Sequence, residues 1–217
     1  MNGAGAIARL DGASRVRAPS GADVEAAGLP SFAFGDRGVM WWATLGVMAI
    51  EGTVFALAVL VYFYVRTRVS EWPPGVRPPS LLWGTVNLAI MVASLAPNFY
   101  TKRAAERYDL RGVRVGMVLC VIFASAFIAV RALEFTALNV RWDTNAYGSA
   151  VWMLIGLHTT HLVTDFLDTA VLAVLMFTGP LEGKRFVDVS ENAFYWYFVV
   201  ASWVPIYAVV YLAPFFL

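Results

Sequence analysis

The chain has 217 residues, of which 59% are hydrophobic and only 14% charged. Soluble domains run at about 45–50% apolar and roughly 25% charged, so most of this chain is excluded from facing water. A formal net charge of +1 argues against a nucleic-acid partner. The single cysteine, Cys120 inside an apolar run, excludes an intrachain disulfide and reads as a small packing residue.

Residues 1–37 are rich in Ala, Gly, Ser and Pro, with scattered charges and little periodicity. They are expected to form a flexible polar tail, and they lack the apolar stretch of a signal peptide. Leu29-Pro30-Ser31-Phe32 is the part of the tail suited to docking on a neighbour.

Five apolar spans follow, at about 38–65, 79–96, 113–138, 149–177 and 192–217. Each is near or above the roughly 20 residues that cross a hydrocarbon core of about 30 Å. Helices are expected, because a span in lipid must satisfy its own backbone hydrogen bonds. The predicted fold class is an all-α polytopic membrane protein, a bundle of five transmembrane helices behind a polar N-terminal tail. The first span opens on Met40-Trp41-Trp42 and closes on Tyr62-Phe63-Tyr64, aromatics suited to the two interfaces. The second is the least hydrophobic and is expected to stop before Pro97-Asn98. Trp72-Pro73-Pro74 reads as a rigid turn between these two spans.

Basic residues set the orientation. Arg9, Arg15, Arg17 and Arg37 of the tail lie on the same side as Lys102, Arg103, Arg107, Arg111 and Arg114, and as Lys184 and Arg185. They outnumber Arg66, Arg68, Arg77 and Arg141 on the other side, so the N-terminus is expected inside and the C-terminus outside. No internal repeat of the transporter kind is evident.

Charge within a span is costly and needs a reason. Glu51 lies near the middle of the first span and is expected to face other helices. Two roles are open to it: a proton-linked or regulatory carboxyl, or an acid donating one hydrogen bond between helices. Arg131 and Glu134, three residues apart, share a helix face and are expected to form a structural ion pair. His158, His161, Asp165 and Asp168 in the fourth span follow spacings of three, four and three and form one polar stripe. The two histidines are the only ones in the chain. On one helix they lie about 60° apart and cannot flank a haem. A helix-bundle di-iron site needs Glu-x-x-His on two helices, and that motif is absent. A mononuclear site of two histidines and a carboxylate stays open in principle, but a hydrogen-bonded stripe against a neighbouring helix is the favoured reading. No catalytic residue, cofactor-binding residue or metal ligand is expected. Asp36, Glu106, Asp109, Glu182 and Asp188 read as solvated loop charges.

Six stretches, in order, resemble subunit III of the haem–copper oxidases. They are Glu51 with Phe55; Trp72-Pro73-Pro74; Asn87 and Ser94; Glu134; Tyr147-Gly148-Ser149 followed by Gly156-Leu157-His158-Thr159-Thr160-His161; and Ala193-Phe194-Tyr195-Trp196-Tyr197-Phe198-Val199 with Trp203 and Tyr207. The resemblance covers roughly residues 40–212. Tyr197 stands where the family usually has His, Val200 where it has Asp, and Lys102-Arg103 where a His pair is common. Asp165 and Asp168 are acidic where the family is small or apolar.

The resemblance implies a divergent five-helix form of an accessory subunit, without catalysis by this chain alone. It implies haem and copper in partner subunits, packing on the catalytic subunit I, and bound phospholipid. It also implies support for oxygen access and sustained proton uptake in aerobic respiration, at the bacterial inner membrane. It matches Glu51 to the family's carbodiimide-reactive glutamate. Two other readings stay open: an accessory protein of nitric oxide reductase, and a stand-alone proton-coupled transporter using Glu51 and the fourth-span stripe.

Overall fold

A computed structural model describes residues 33–216, so most of the tail expected over residues 1–37, including Leu29-Pro30-Ser31-Phe32, lies outside the described residues. Five long helices make up the rest: α1 (Val39–Arg66), α2 (Leu81–Glu106), α3 (Leu110–Thr136), α4 (Ala146–Thr178) and α5 (Gly183–Tyr207). Past Tyr207 the chain coils on through a π-helical turn at Ala208–Leu212 and a 3-10 turn at Ala213–Phe215. All five are long and apolar enough to cross a membrane, and the chain is an all-α integral membrane protein. Its outward residues fit lipid as solvent: on α1, Ile50 and Leu60 are 68% and 62% exposed.

Capping chemistry sets two of the helix starts. Asp109 Oδ1 accepts from the Gly112 amide at 3.1 Å, so α3 begins at Leu110 rather than Val113. Asn145 Oδ1 accepts from the Gly148 amide at 2.8 Å, so α4 begins at Ala146 rather than Ser149. Asp109 is therefore a cap and not a free loop charge. The second helix does not stop before Pro97 but contains it and runs to Glu106. Proline removes one intrahelical donor, yet the turns beyond it are anchored. Asn98 Nδ2 donates to Ala193 O at 2.9 Å, Thr101 Oγ1 to Pro97 O at 2.7 Å, and Ala104 and Ala105 enter the core. The fifth helix starts at Gly183, well before Asn192, which places Asp188 inside it.

The helices divide between two compact units, each helix giving one stretch to each. The first unit comprises residues to Val47, Leu95–Ile122 and Asp165–Trp196. Its apolar core includes Ala105, Val113, Met117, Met176, Phe186 and Val189. Tyr108, at φ 57° in the tight turn between α2 and α3, packs its ring on Phe34 and Phe186. Burial raises its hydroxyl pKa above the ordinary tyrosine value. Arg114 ties α3 to α4 by donating from Nε to Met176 O at 2.9 Å.

The second unit comprises Met48–Ser94, Phe123–Thr164 and Tyr197–Leu217. The Trp72-Pro73-Pro74 turn folds inward here. Trp72 is buried, stands edge-on to Tyr62 and Tyr147, and donates its indole N–H to the Tyr62 hydroxyl at 2.9 Å. In the loop before α4, Arg141 grips Asp143 through two 3.1 Å hydrogen bonds, which hold that carboxyl below its usual pKa.

Gly84 on α2 lets the Tyr211 ring approach: a Cβ there would lie 2.7 Å from ring carbons. Gly46 on α1 has nothing within 4 Å of such an atom. Gly84→Ala should therefore lower the melting temperature of the detergent-solubilised protein by several degrees, while Gly46→Ala should leave it unchanged or raise it slightly. Equal behaviour of the two variants would contradict this packing.

Candidate functional site

In the second unit, Glu134 on α3 accepts from three elements. Arg131 Nη1, one turn earlier on the same helix, lies 2.8 Å from Glu134 Oε2. Asn87 Nδ2 on α2 donates to the same oxygen at 3.1 Å, and the Tyr211 hydroxyl beyond α5 donates to Oε1. Arg131 and Glu134 are 2% and 1% exposed, so the pair is shielded from water. The guanidinium also lies over the Trp203 indole, 3.9 Å from the ring centroid. Its Nη2 approaches His158 Nδ1 at 3.4 Å.

That last contact assigns the tautomer of His158. A guanidinium only donates, so Nδ1 accepts and Nε2 carries the hydrogen. Nε2 then donates to Val199 O on α5 at 3.0 Å. Both ring nitrogens are engaged, and neither offers a lone pair to a metal without breaking a buried hydrogen bond.

His161, one turn on, is placed differently. Its Nδ1 lies 2.7 Å from Leu157 O, which can only accept, so Nδ1 carries a hydrogen. Nε2 lies 3.4 Å from Glu51 Oε1 on α1. A hydrogen bond between those two atoms requires one proton between them, resident on the acid or on the imidazole. Phe55, one turn from Glu51, covers the pair with its ring centroid 4.9 Å from the His161 ring, and Phe198 packs near Gly52. The Glu51 and His161 side chains are 23% and 12% exposed, against complete burial of His158.

The two aspartates of the fourth-span stripe belong to the first unit. Asn192 of α5 donates its amide to Asp168 Oδ2 at 3.1 Å and to Asp165 Oδ1 at 3.4 Å, and its carbonyl accepts from Thr169 at 3.1 Å. One helix thus carries two polar groupings: His158 and His161 meet Arg131 and Glu51, while Asp165 and Asp168 meet Asn192. Among the described residues no three His, Cys, Asp or Glu side chains are placed to hold a metal.

Several participants escape sequence reasoning. Asn87 and Tyr211 lie 47 and 77 residues from Glu134 in sequence, and no local pattern pairs them with it. Asn192 has a usable signal once α5 is known to begin at Gly183. Asp188, Glu191, Asn192 and Tyr195 then recur at helical spacing on one face. Asp188 is not a solvated loop charge: its side chain is 17% exposed and lies 3.8 Å from Arg185.

Residues 41–214 match the family model for cytochrome c oxidase subunit III. The chain is 26% identical over 178 residues to a probable cytochrome c oxidase subunit 3 of Nocardia farcinica, a match covering 80% of this chain and 85% of that one. It is 22% identical over 174 residues to cytochrome c oxidase subunit 3 of Corynebacterium diphtheriae, covering 77% and 85%. It is also 24% identical over 186 residues to a heme-copper oxidase subunit I+III of Aeropyrum pernix, covering 81% of this chain but only 22% of that longer one.

Breaking a buried ion pair strands a charge, at a cost of about 3–5 kcal/mol. Arg131→Met and Glu134→Gln should each destabilise the protein on that scale in chemical unfolding. The double variant should lose markedly less than the sum. Strict additivity would mean that the two side chains do not depend on each other.

Proposed function

Since the chain belongs to the cytochrome c oxidase subunit III family, we propose that it is the cofactor-free accessory subunit III of a respiratory haem–copper oxidase. The observation that carries the reading is the extent of the family match, residues 41–214, which takes in all five helices. The fused subunit I+III relative supports a catalytic subunit I as the neighbour. In this reading the chain packs on that subunit, holds phospholipid along its apolar outer faces, and supports oxygen access and sustained proton uptake. Haem and copper reside in the partners. The N-terminus lies inside, the C-terminus outside, and the membrane is the bacterial inner membrane. A flexible tail followed by a transmembrane domain is the domain organisation that goes with it.

In this reading the site residues take roles that their geometry supports. Glu51 is the proton-linked or regulatory carboxyl: its Oε1 lies 3.4 Å from the His161 imidazole Nε2, and it is partly accessible. Arg131 and Glu134 are structural, since Glu134 is surrounded by donors and the pair has no exposed surface for a reactant. The stripe from His158 to Asp168 joins α4 to its neighbours.

Glu51→Gln removes the carboxylate and preserves shape. The purified complex should keep its initial rate of oxygen consumption within about twofold, since an accessory residue takes no part in the chemical step, and should inactivate sooner during sustained turnover. An immediate collapse of turnover would make Glu51 part of the catalytic proton route and sink this assignment.

Replacing His158 and His161 together by Gln should leave iron and copper per complex unchanged in elemental analysis. Loss of one metal per complex would overturn the cofactor-free reading.

A further inference from the structure

The first unit contains a cavity of about 480 Å³ walled by α1, α4 and α5. That volume falls in the range of roughly 300–1,000 Å³ common to small-molecule sites. Its α1 and α4 walls are mainly apolar, with Met40, Val47, Val171 and Leu175 among them. Its polar wall carries three acids, Asp168, Asp188 and Glu191, against one base, Arg185.

These acids are not equally provided for. Asp168 accepts from Asn192 at 3.1 Å, and Asp188 has Arg185 at 3.8 Å. Glu191 has neither kind of partner. It is 4% exposed, and neither carboxylate oxygen accepts a hydrogen bond. The Lys102 ammonium acts on Glu191 only through space, its own contacts being Ser190 Oγ at 2.9 Å and Glu106 at 3.0 Å. A buried carboxylate without donors is costly, and most buried polar groups in folded proteins are satisfied. Glu191 is thus an unpartnered acceptor on the wall of the cavity.

We propose that this cavity binds an organic cation, an ammonium or guanidinium group carried on an apolar body. The head would donate to Glu191, with Asp188 and Asp168 adding negative potential, and the body would lie along Met40, Val47 and Leu175. An anion is disfavoured by the three acids. A bare metal ion is disfavoured because no three ligating side chains are suitably placed among the described residues. A neutral apolar guest would leave Glu191 as it is.

Two sources carry this chemistry. One is a free amphiphilic amine. The other is a basic side chain from residues 1–32, where Arg9, Arg15 and Arg17 lie on the same chain as Met40 of the cavity wall.

The test uses the intact complex in an uncharged maltoside detergent. The probes are a spin-labelled dodecylammonium and an uncharged spin-labelled amide of the same length. The ammonium probe should show a saturable site that dodecylamine displaces and dodecanol does not. Glu191→Gln should weaken that site about tenfold, as expected for a lost charge-assisted hydrogen bond. Asp188→Asn should weaken it in the same direction, and Asp143→Asn, on an exposed outer loop, should not. If Glu191→Gln fails to assemble, Asp188→Asn decides alone.

Deleting residues 2–30 separates the sources. Tighter probe binding assigns the arginines of the tail as the native occupant, whereas unchanged binding assigns a free amine. Equal binding of the charged and uncharged probes would overturn the proposal. So would an ammonium affinity indifferent to both acid substitutions.

Discussion

The carboxylate of Glu134 is the point on which the second unit turns. In a low-dielectric interior an ionised acid is tolerable only when fully surrounded by donors. Here those donors come from α2, from α3 itself and from the chain beyond α5. Arg131, drawn in by Glu134, then presents its remaining nitrogen to His158 and its flat face to Trp203. His158 passes the constraint to α5 through Val199 O. Non-directional apolar packing would allow these helices to slide, whereas a chain of directional bonds sets one register. The same chain fixes the Tyr211 ring that Gly84 has to accommodate.

The same helix, α4, shows how position along a span decides what a polar group can do. His158 is completely buried and spends both nitrogens on structure. His161, one turn away, spends one nitrogen on its own backbone and turns the other to Glu51. Only the second arrangement brings an imidazole to a partly accessible carboxylate. The Arg131–Glu134–His158 framework is buried, and the Glu51–His161 pair sits at its partly accessible edge.

Much of this was legible from residues alone. The five spans, the all-α class, and the meeting of Arg131 with Glu134 rest on apolar length and on i, i+3 spacing, both of them local signals. The ends of the elements were less legible, because they depend on other elements. Pro97 reads as a stop until Asn98 is seen bonded to Ala193, far along the chain. Asp188 reads as a loop charge until α5 is seen to begin at Gly183. The other partners of Glu134 could not be read, because a hydrogen bond between positions 87 and 134, or 134 and 211, leaves no periodic trace. The charged start of α5 masked both the helix and the cavity it lines.

In the proposed role this chain serves a catalytic neighbour and performs no redox chemistry itself. Affinity purification through a tag on this chain, from native membranes in mild detergent, tests it most directly, with haem spectroscopy and oxygen consumption read on the eluate. A haem- and copper-containing partner that reduces oxygen should co-purify. A chain that elutes alone and transports protons after reconstitution into liposomes would contradict it, as would a haem partner that reduces nitric oxide and not oxygen.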